Sequence, residues 1–573
     1  MNKLLFTDTC IEIQCDRNDR ETQKAMTAFY PLTVNRILTS YKVSAHLAPE
    51  ILKTFRNIDA SNIDTAPPRI QEYFYREQRI RDNKADLLTN GPRGSCVVSD
   101  RLTLKPHQQL GRELARLYDR FAFFYDTRTG KTPLSLTIIY DDIKNNPSHK
   151  WLVVCPLILI ENAWLEDAKK FYPDIALVNC HASTKEKRLK AMAKSANIYV
   201  TNTESFVSYR EYFDKMGFTG CIVDESSDMK SPRSKVSENL VDFAQTMKRF
   251  YLLSGTPAPN GEQEYYMQMR AVDFYGWQSS YSQFKEYYFI NLSYEPQYEK
   301  LALRPDRKDE LYANIKKSAI FIDKEDVLNT PGREFHTVEY DMPVELMKQY
   351  RQLKNELYVE LGDNLKITAQ NAGAKLNKLN QVSSGFIMDT LAAKENKFYG
   401  TDTAEWYLLD NWRFKALQEL LDRDGIRGEQ VLIWANYRRE FQLIQEMLGD
   451  RCRLVYGGAT LDEKNEAIKL FKSGKVQYLI ANPASADKGL TLTNCHLAIY
   501  FSLNWSYELY KQSYDRIYAD KSIQPHFCHY YIMIAKGTID SVLYNDVLAG
   551  KGTSSYAVLN HLKPEVITNE KNP

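Results

Sequence analysis

FAFFYDTRTGKT (residues 121–132) decides the fold. An apolar run that reads as a buried strand leads directly into Gly130-Lys131-Thr132, which predicts strand, tight loop and helix start in succession. At a helix start the unpaired backbone amides of Thr129, Gly130 and Lys131 can cradle phosphate. Lys131 can pair with the β- and γ-phosphates, and the Thr132 hydroxyl can bind magnesium. A GKT tripeptide alone also suits an ordinary turn opening a helix, so the downstream motifs carry the weight. GCIVDE (220–225) is a second apolar run, and it ends on two carboxylates. Such a pair is costly at a buried strand end unless it binds something. Asp224 is expected to hold magnesium, and Glu225 to orient and deprotonate a water. RFYLLSGTPAPN (249–260) is a third, whose Ser254, Gly255 and Thr256 can sense a γ-phosphate and relay its loss. Upstream, LKPHQQ (104–109) offers Gln108, whose amide can read both donor and acceptor of adenine.

The chain has 573 residues, too many for one core, with 43% hydrophobic and 26% charged residues, as in ordinary globular domains. Its 75 basic and 73 acidic residues nearly cancel, which excludes a uniformly basic nucleic-acid coat and leaves room for a local basic channel. Nine cysteines are scattered without any CxxC pair, and the spacing of Cys10 and Cys15 does not suit zinc. No apolar run approaches membrane-spanning length, and MNKLLFTDTC lacks a signal-peptide pattern. The expectation is a cytoplasmic protein with no membrane partner.

Residues 96–290 alternate apolar runs with charged helical stretches: FAFFYD, WLVVCPLILI, IALVNC, NIYVTN, GCIVDE and RFYLLS. Residues 405–560 repeat the theme with QVLIWAN, CRLVYGG, VQYLIANP, HLAIYFS and CHYYIMIA. This pattern predicts an α/β fold of two parallel sheets covered by helices. Between them, 291–404 reads as helical protrusions and linker, with VELMKQYRQLKNELYVEL (344–361) as one helix. Residues 1–95 read as a small α+β accessory domain. In it MNKLLFTDTCIEIQCD suggests a strand or hairpin, ETQKAMTAFYPLTVNRIL (21–38) helices, and 76–95 a linker. Arg56, Arg69, Arg76, Arg79 and Arg81 would suit DNA, although acidic neighbours dilute them and a charge run is usually a solvated face. Residues 561–573 read as a tail.

Taken together these motifs resemble the Swi/Snf type of superfamily 2 helicase-like ATPases, with a pattern nearest to bacterial and phage-encoded members. The resemblance covers about residues 100–550. It is carried further by WLVVCPLILIENAW, YVTNTESF, FIDKEDVLNTPGREF (321–335), IWANYRREF (433–441), NPASADKGLTLTN (482–494), NWSYELYKQSYDRIY (504–518) and GTIDSVLYNDVLAGKG (537–552). It implies two RecA-like lobes, ATP with Mg2+ in a cleft, and a motor on double-stranded or branched DNA in a bacterial cell or phage-infected host. From the second lobe Gly489, Gln512 and Arg516 are expected to meet the nucleotide. DNA-backbone contacts are expected near Pro156, Leu157, Thr203, Glu204, Asn436, Tyr437, Asn482 and Ser485, where small polar groups and amides can grip phosphates without reading bases. Trp505 suits a stacking role or a core position equally. A protein partner through residues 1–95 is a further expectation.

Three positions depart from the family pattern. Tyr125 stands where the phosphate loop wants a small residue, Arg128 where relatives carry glycine, and Ala519 where motif VI carries a second arginine. Loss of such an arginine costs roughly 10³–10⁵ in turnover in related phosphoryl-transfer systems. Arg438, Arg439 or Lys521 could substitute, hydrolysis could be slow, or an arginine could have been replaced. Two alternatives to a DNA motor therefore stay open: an ATPase acting on a protein–nucleic-acid complex such as stalled RNA polymerase, and an ATP-gated DNA clamp with little turnover.

Overall fold

The structure is a computed structural model. It describes residues 79–80, 82–274, 277, 280–292, 301–355, 358–361, 365–368, 372–388, 406–485 and 491–549, with four short strands between residues 3 and 44. Two compact units meet in sequence between Val327 and Leu328.

In the first unit a seven-stranded sheet comprises β1 (Arg120–Tyr125), β2 (Trp151–Cys155), β3 (Leu177–Asn179), β4 (Ile198–Asn202), β5 (Gly220–Asp224), β6 (Arg249–Leu253) and β7 (Ala319–Ile322). The order is β7-β1-β6-β5-β2-β4-β3, and every pairing is parallel. The near-continuous apolar character of β1 follows from burial on both faces. Ala122 and Phe124 enter one core, while Phe121, Phe123 and Tyr125 enter the other. Helix α1 (Pro106–Leu117) precedes β1, α2 (Lys131–Asn145) follows it, and α3 (Tyr265–Val272) comes after β6.

In the second unit a six-stranded sheet comprises β8 (Arg333–Tyr340), β9 (Val431–Trp434), β10 (Cys452–Val455), β11 (Tyr478–Ala481), β12 (Leu497–Tyr500) and β13 (Cys528–Ala535). Their order is β8-β13-β12-β9-β11-β10, again wholly parallel. Helices α4 (Ala372–Ser383) and α5 (Trp412–Leu421) precede β9, α6 (Arg438–Leu448) follows it, and α7 (Tyr507–Tyr514) follows β12. The expected pair of RecA-like lobes is therefore present. The segment 291–404 supplies β7 to one sheet and β8 to the other as well as helices. Of its strands, REFHTVEY is a mixed polar stretch on a sheet edge without an apolar run, whereas β7 (AIFI) is apolar but only four residues long, too short to be told from a helix segment by pattern.

Other differences are local. In WLVVCPLILI the strand stops at Cys155, because Pro156 cannot continue a ladder and instead opens a short helix at Leu157. The helix from Val344 ends at Asn355, and Tyr358–Leu361 pairs with Leu365–Thr368 as a hairpin. The stretch read as a linker is helical over 82–90, where Lys84 donates to the Lys316 and Lys317 carbonyls and lies over the Tyr118 and Phe121 rings. Burial pushes that ammonium down to about 7. Near the N-terminus, Lys3–Phe6, Cys10–Gln14, Ser40–Ser44 and Asn35–Ile37 form an antiparallel sheet. Asn35–Ile37 is thus a strand within a stretch expected to be helical, and the rest of that stretch lies outside the described residues. No described helix is long and apolar enough to cross a membrane.

The second lobe is tied together by a buried ion pair. Arg413, on α5, has no exposed side-chain surface, and neither has Asp540. Arg413 Nη1 donates to Asp540 Oδ2 at 2.8 Å and to the Ser383 carbonyl at 3.0 Å, and Nε and Nη2 donate to the Phe501 and Met533 carbonyls. Ser383 Oγ and the Ala535 amide complete the carboxylate. One side chain thus joins α4, the end of β12, β13 and the GTIDSV turn. Arg413→Ala leaves Asp540 charged in a dry interior and is expected to destabilise this lobe by about 3–5 kcal/mol. Urea unfolding measures it, and a loss below about 1 kcal/mol would contradict the role.

Candidate active site

A parallel sheet puts every strand's C-terminal end on one edge, and the sheet order makes β1, β6 and β5 neighbours there. The phosphate loop, SGTP and Asp224-Glu225 consequently converge, although the first stands far from the others in sequence.

The loop from Asp126 to Gly130 turns sharply. Arg128 (φ 64°) and Gly130 (φ 80°) are both left-handed, and Gly130 caps α2. Glycine accepts that conformation freely, whereas a side chain costs roughly 1–2 kcal/mol, so Arg128 carries a backbone cost that the glycine expected there would avoid. Tyr125 is accommodated because it is the last residue of the strand and not part of the turn. Its ring is buried, its hydroxyl donates to the His107 carbonyl at 2.9 Å, and Gly111 leaves it room: a Cβ there would lie 2.8 Å from the hydroxyl.

Lys131 folds back on this loop, donating to the Tyr125 carbonyl at 3.0 Å and the Asp126 carbonyl at 3.3 Å. Thr129 Oγ1 donates to the Asp126 carbonyl. Gln108 Nε2 donates to the carbonyls of Gly130 (3.0 Å) and Thr129 (3.3 Å), while its Oε1 accepts from the Lys105 amide. Here, then, Gln108 braces the loop. His107 Nε2 sits 2.7 Å from the Thr129 carbonyl, and burial pushes this imidazole down to about 4, so it is neutral and donates. Thr132 is partly exposed at the first turn of α2.

Asp224 is buried. Its Oδ2 accepts from Trp164 Nε1 at 3.0 Å and its Oδ1 from the Glu225 amide. Burial raises its pKa to about 6; the neighbouring Glu225 adds to this, and Lys131 and the Trp164 bond oppose it. Glu225 is left-handed at φ 58°, and its buried Oε2 has no hydrogen-bond partner among the described residues. Strain plus an unsatisfied carboxylate oxygen is costly, and such cost persists where a ligand or reaction uses it.

Links between the motifs come from Gln268, which lies in none of them, and from Lys324 and Trp164, which lie in motif segments that assign them no role. Gln268 on α3 accepts from Ser226 Oγ at 2.7 Å and donates to the Pro257 carbonyl at 2.6 Å, joining the acidic turn to SGTP. Ser254 Oγ accepts from the Thr256 amide, and a Cβ on Gly255 would lie 3.3 Å from the Thr127 amide, so SGTP abuts the phosphate loop. Lys324, buried just beyond β7, reaches Thr127 Oγ1 at 3.2 Å and Asp126 Oδ2 at 3.7 Å. Trp164 lies in a π-helical turn, Ile160–Leu165, an irregularity that apolar periodicity does not reveal.

Residues expected to meet DNA fall on the same kind of edge. Pro156-Leu157 and Thr203-Glu204 come directly after Cys155 and Asn202, which are partners on β2 and β4. Leu157 is exposed, and Asn202 Nδ2 donates to the Glu204 carboxylate. In the second lobe, Asn436-Tyr437 and Asn482 come after β9 and β11, where Trp434 and Ala481 are partners. Both asparagine side chains are occupied internally: Asn436 Nδ2 donates to the Ser502 carbonyl, and Asn482 Nδ2 to the carbonyls of Ala435 and Asn436. Tyr437 donates to Asn377, and Ser485 closes a turn onto the Asn482 carbonyl.

Gln512 lies on α7 and Arg516 just beyond it; both are buried. Ala519 has no exposed surface, and its neighbours are anchored, Tyr518 to Thr330 and the Lys521 amide to the Asn329 carbonyl. Trp505 is exposed. Gly489 lies outside the described residues.

Tandem parallel-sheet lobes, the first with a phosphate loop beside a buried acidic strand end, define the class of two-lobe RecA-like ATPases. The SNF2-related domain family matches residues 73–392 and the helicase conserved C-terminal domain residues 412–519. The chain belongs to the SNF2-related family of helicase-like ATPases. It is 25% identical to "Putative protein p41" of Acyrthosiphon pisum secondary endosymbiont phage 1, over 72% of this chain and 89% of that protein. It is 23% identical to Saccharomyces cerevisiae transcription regulatory protein SNF2 (68% of this chain, 23% of that one) and 23% to human DNA annealing helicase and endonuclease ZRANB3 (77% and 39%). The chain thus spans well under half the length of these last two relatives. The solved Sulfolobus solfataricus SWI2/SNF2 ATPase core is similar at 20% identity, over 81% of this chain and 97% of that one, with a TM-score of 0.36.

Two outcomes are expected. Arg128→Gly should raise stability by about 1 kcal/mol by relieving the left-handed backbone; an unchanged or lowered thermal midpoint would contradict this. For Asp224 the folded pKa is raised, so its ionised form costs stability above about pH 6, and stability from this group increases as pH falls through that value. Magnesium–nucleotide affinity should instead fall below about pH 6, as protons compete for the carboxylate. Calorimetric titration of wild type between pH 5 and 8 tests this, alongside Asp224→Asn, which should bind more weakly and lose the pH step.

Proposed function

We propose that this chain is an ATP-dependent motor on double-stranded or branched DNA that remodels DNA structures or displaces bound proteins. The observation that carries the hydrolytic half is Glu225, strained and with an unpartnered buried carboxylate oxygen, beside Asp224 and within the electrostatic reach of Lys131. In this reading Lys131 leaves the loop carbonyls for the β- and γ-phosphates, and the amides of Thr129, Gly130 and Lys131 take the phosphate oxygens. Thr132 and Asp224 would hold a magnesium ion, which supplies positive charge at the phosphates, and the buried, acceptor-rich strand end fits such an ion. Glu225 Oε2 accepts the proton of the attacking water as the β–γ bond breaks. Gln512, Arg516 and Gly489 are assigned to the nucleotide from the family pattern alone.

The motor half draws on Ser254, Gly255 and Thr256, whose contacts with Thr127 and, through Gln268, with Ser226 let loss of phosphate move neighbouring elements. The DNA track is assigned to the strand-edge segments at Pro156-Leu157, Thr203-Glu204, Asn436-Tyr437 and Asn482-Ser485. The Asn436 and Asn482 side chains are spent on loop carbonyls, and the amides of Asn436, Tyr437, Asn482, Ala484 and Ser485 are bonded within the lobe, so the phosphate contact at these two sites is assigned to hydroxyls such as that of Ser485. The names of relatives, among them a DNA annealing helicase, favour DNA as the polymer. Residues 1–95 are assigned to a partner or a branched-DNA feature.

A second reading, the weakly cycling clamp, is favoured by one observation: Ala519 is fully buried, so an arginine there must displace anchored neighbours.

The test is ATP turnover without nucleic acid and with single-stranded, duplex and forked DNA. Duplex or fork stimulation is expected, with Glu225→Gln lowering turnover by at least about 10²-fold while retaining ATP binding. Tight DNA binding without turnover under every condition would replace the motor by the clamp, and stimulation only by a protein–nucleic-acid complex would move the substrate there.

A further inference from the structure

We propose that Glu334, His336 and His529 form a binding site for a zinc-class divalent transition-metal ion that pins the edge strand of the second lobe. Four of the chain's nine histidines gather here: His336, His496, His526 and His529. Strand β8 is the edge of its sheet and the first strand of this unit. Its register pairs Glu334 with His529 and His336 with Tyr531. Alternate residues share a face, so these four side chains project on the same side of the two strands.

The donor geometry suits one small cation. His336 Nε2 and His529 Nδ1 face each other at 3.1 Å, and Glu334 Oε2 lies 3.6 Å from His336 Nε2. All three donor atoms fall within 4.8 Å of one another. Bonds of about 2.0–2.1 Å at tetrahedral angles require donor separations of about 3.3–3.4 Å, midway between those two distances. Two imidazoles and a carboxylate are the ligand set of zinc and its neighbours, whereas magnesium and calcium want oxygen alone. The rings are held by aromatic contacts: His336 stacks on Tyr531 at 4.9 Å, and Phe527 packs tilted against His529 at 5.0 Å. The site is partly exposed, which leaves a fourth position for water and a route for entry. Its location, far along the sequence from Asp224 and on an edge strand, points to holding β8 in register and not to chemistry.

The competing description is a plain imidazole–imidazole hydrogen bond across 3.1 Å, and it needs no metal. Chelator-treated full-length protein is titrated with zinc chloride by calorimetry, in an Asp224→Asn background so that the nucleotide site does not contribute. One zinc per chain is expected, with affinity lowered at least about tenfold in His336→Ala and in His529→Ala. Glu334→Gln, at an exposed side chain, should weaken binding without disturbing the fold, and His526→Ala should leave it intact. Cobalt(II) should give the intense visible bands of a four-coordinate site in the parent and lose them in the histidine variants. Absence of zinc binding, or binding that persists in the His336→Ala/His529→Ala double variant, would overturn the site.

Discussion

Everything in the first lobe depends on one constraint: in a parallel sheet the C-terminal ends of all strands lie along one edge. Because β1, β6 and β5 are neighbours, a loop, a serine–threonine turn and a pair of carboxylates meet there without any long-range design in the loops themselves. The helices that cover both faces make this edge dry at its base. That dryness is what lifts Asp224 to about 6 and leaves Glu225 with an unsatisfied oxygen. The site is thus unstable in the ordinary sense, and the surrounding cores of Phe121, Phe123, Ala122 and Phe124 hold it in place.

The FIDKEDVLNTPGREF stretch gains a physical meaning from the fold. Its first part forms β7, beside β1, and brings Lys324 to Asp126 and Thr127 at the phosphate loop. Its second part belongs to the other unit, where Asn329 and Thr330 meet Lys521 and Tyr518, and Arg333 lies over the Tyr514 and Tyr518 rings. A single run of chain therefore touches the nucleotide loop in one lobe and the motif VI segment in the other, each within its own unit. The buried Arg413–Asp540 pair plays the comparable part inside the second lobe, fixing the turn after β13 against α4 and α5.

The three departures from the family pattern have different physical standing. Tyr125 costs nothing visible, since Gly111 and the His107 carbonyl receive it. Arg128 carries a backbone penalty that glycine avoids. Ala519 is buried between anchored neighbours, so its small side chain is matched to the packing around it.

What the sequence determined by itself was the kind of strand and the chemistry at its end. FAFFY, GCIVD and RFYLL are legible as strands because burial on both faces demands continuous apolar residues, and GKT, DE and SGT stand just after or at the ends of those runs. Only the tertiary structure decided which of these ends touch. It also decided that REFHTVEY is a strand, because exposed Glu334, Thr337 and Glu339 interrupt its packed residues Phe335 and Val338 and leave no apolar run. The roles of Trp164, Gln268, Lys324 and the His336–His529 pair were invisible for a related reason. Each acts through a partner 42 to 198 positions away, as the Ser226–Gln268 and Lys324–Asp126 contacts illustrate, and sequence periodicity reports only on neighbours within a turn or two.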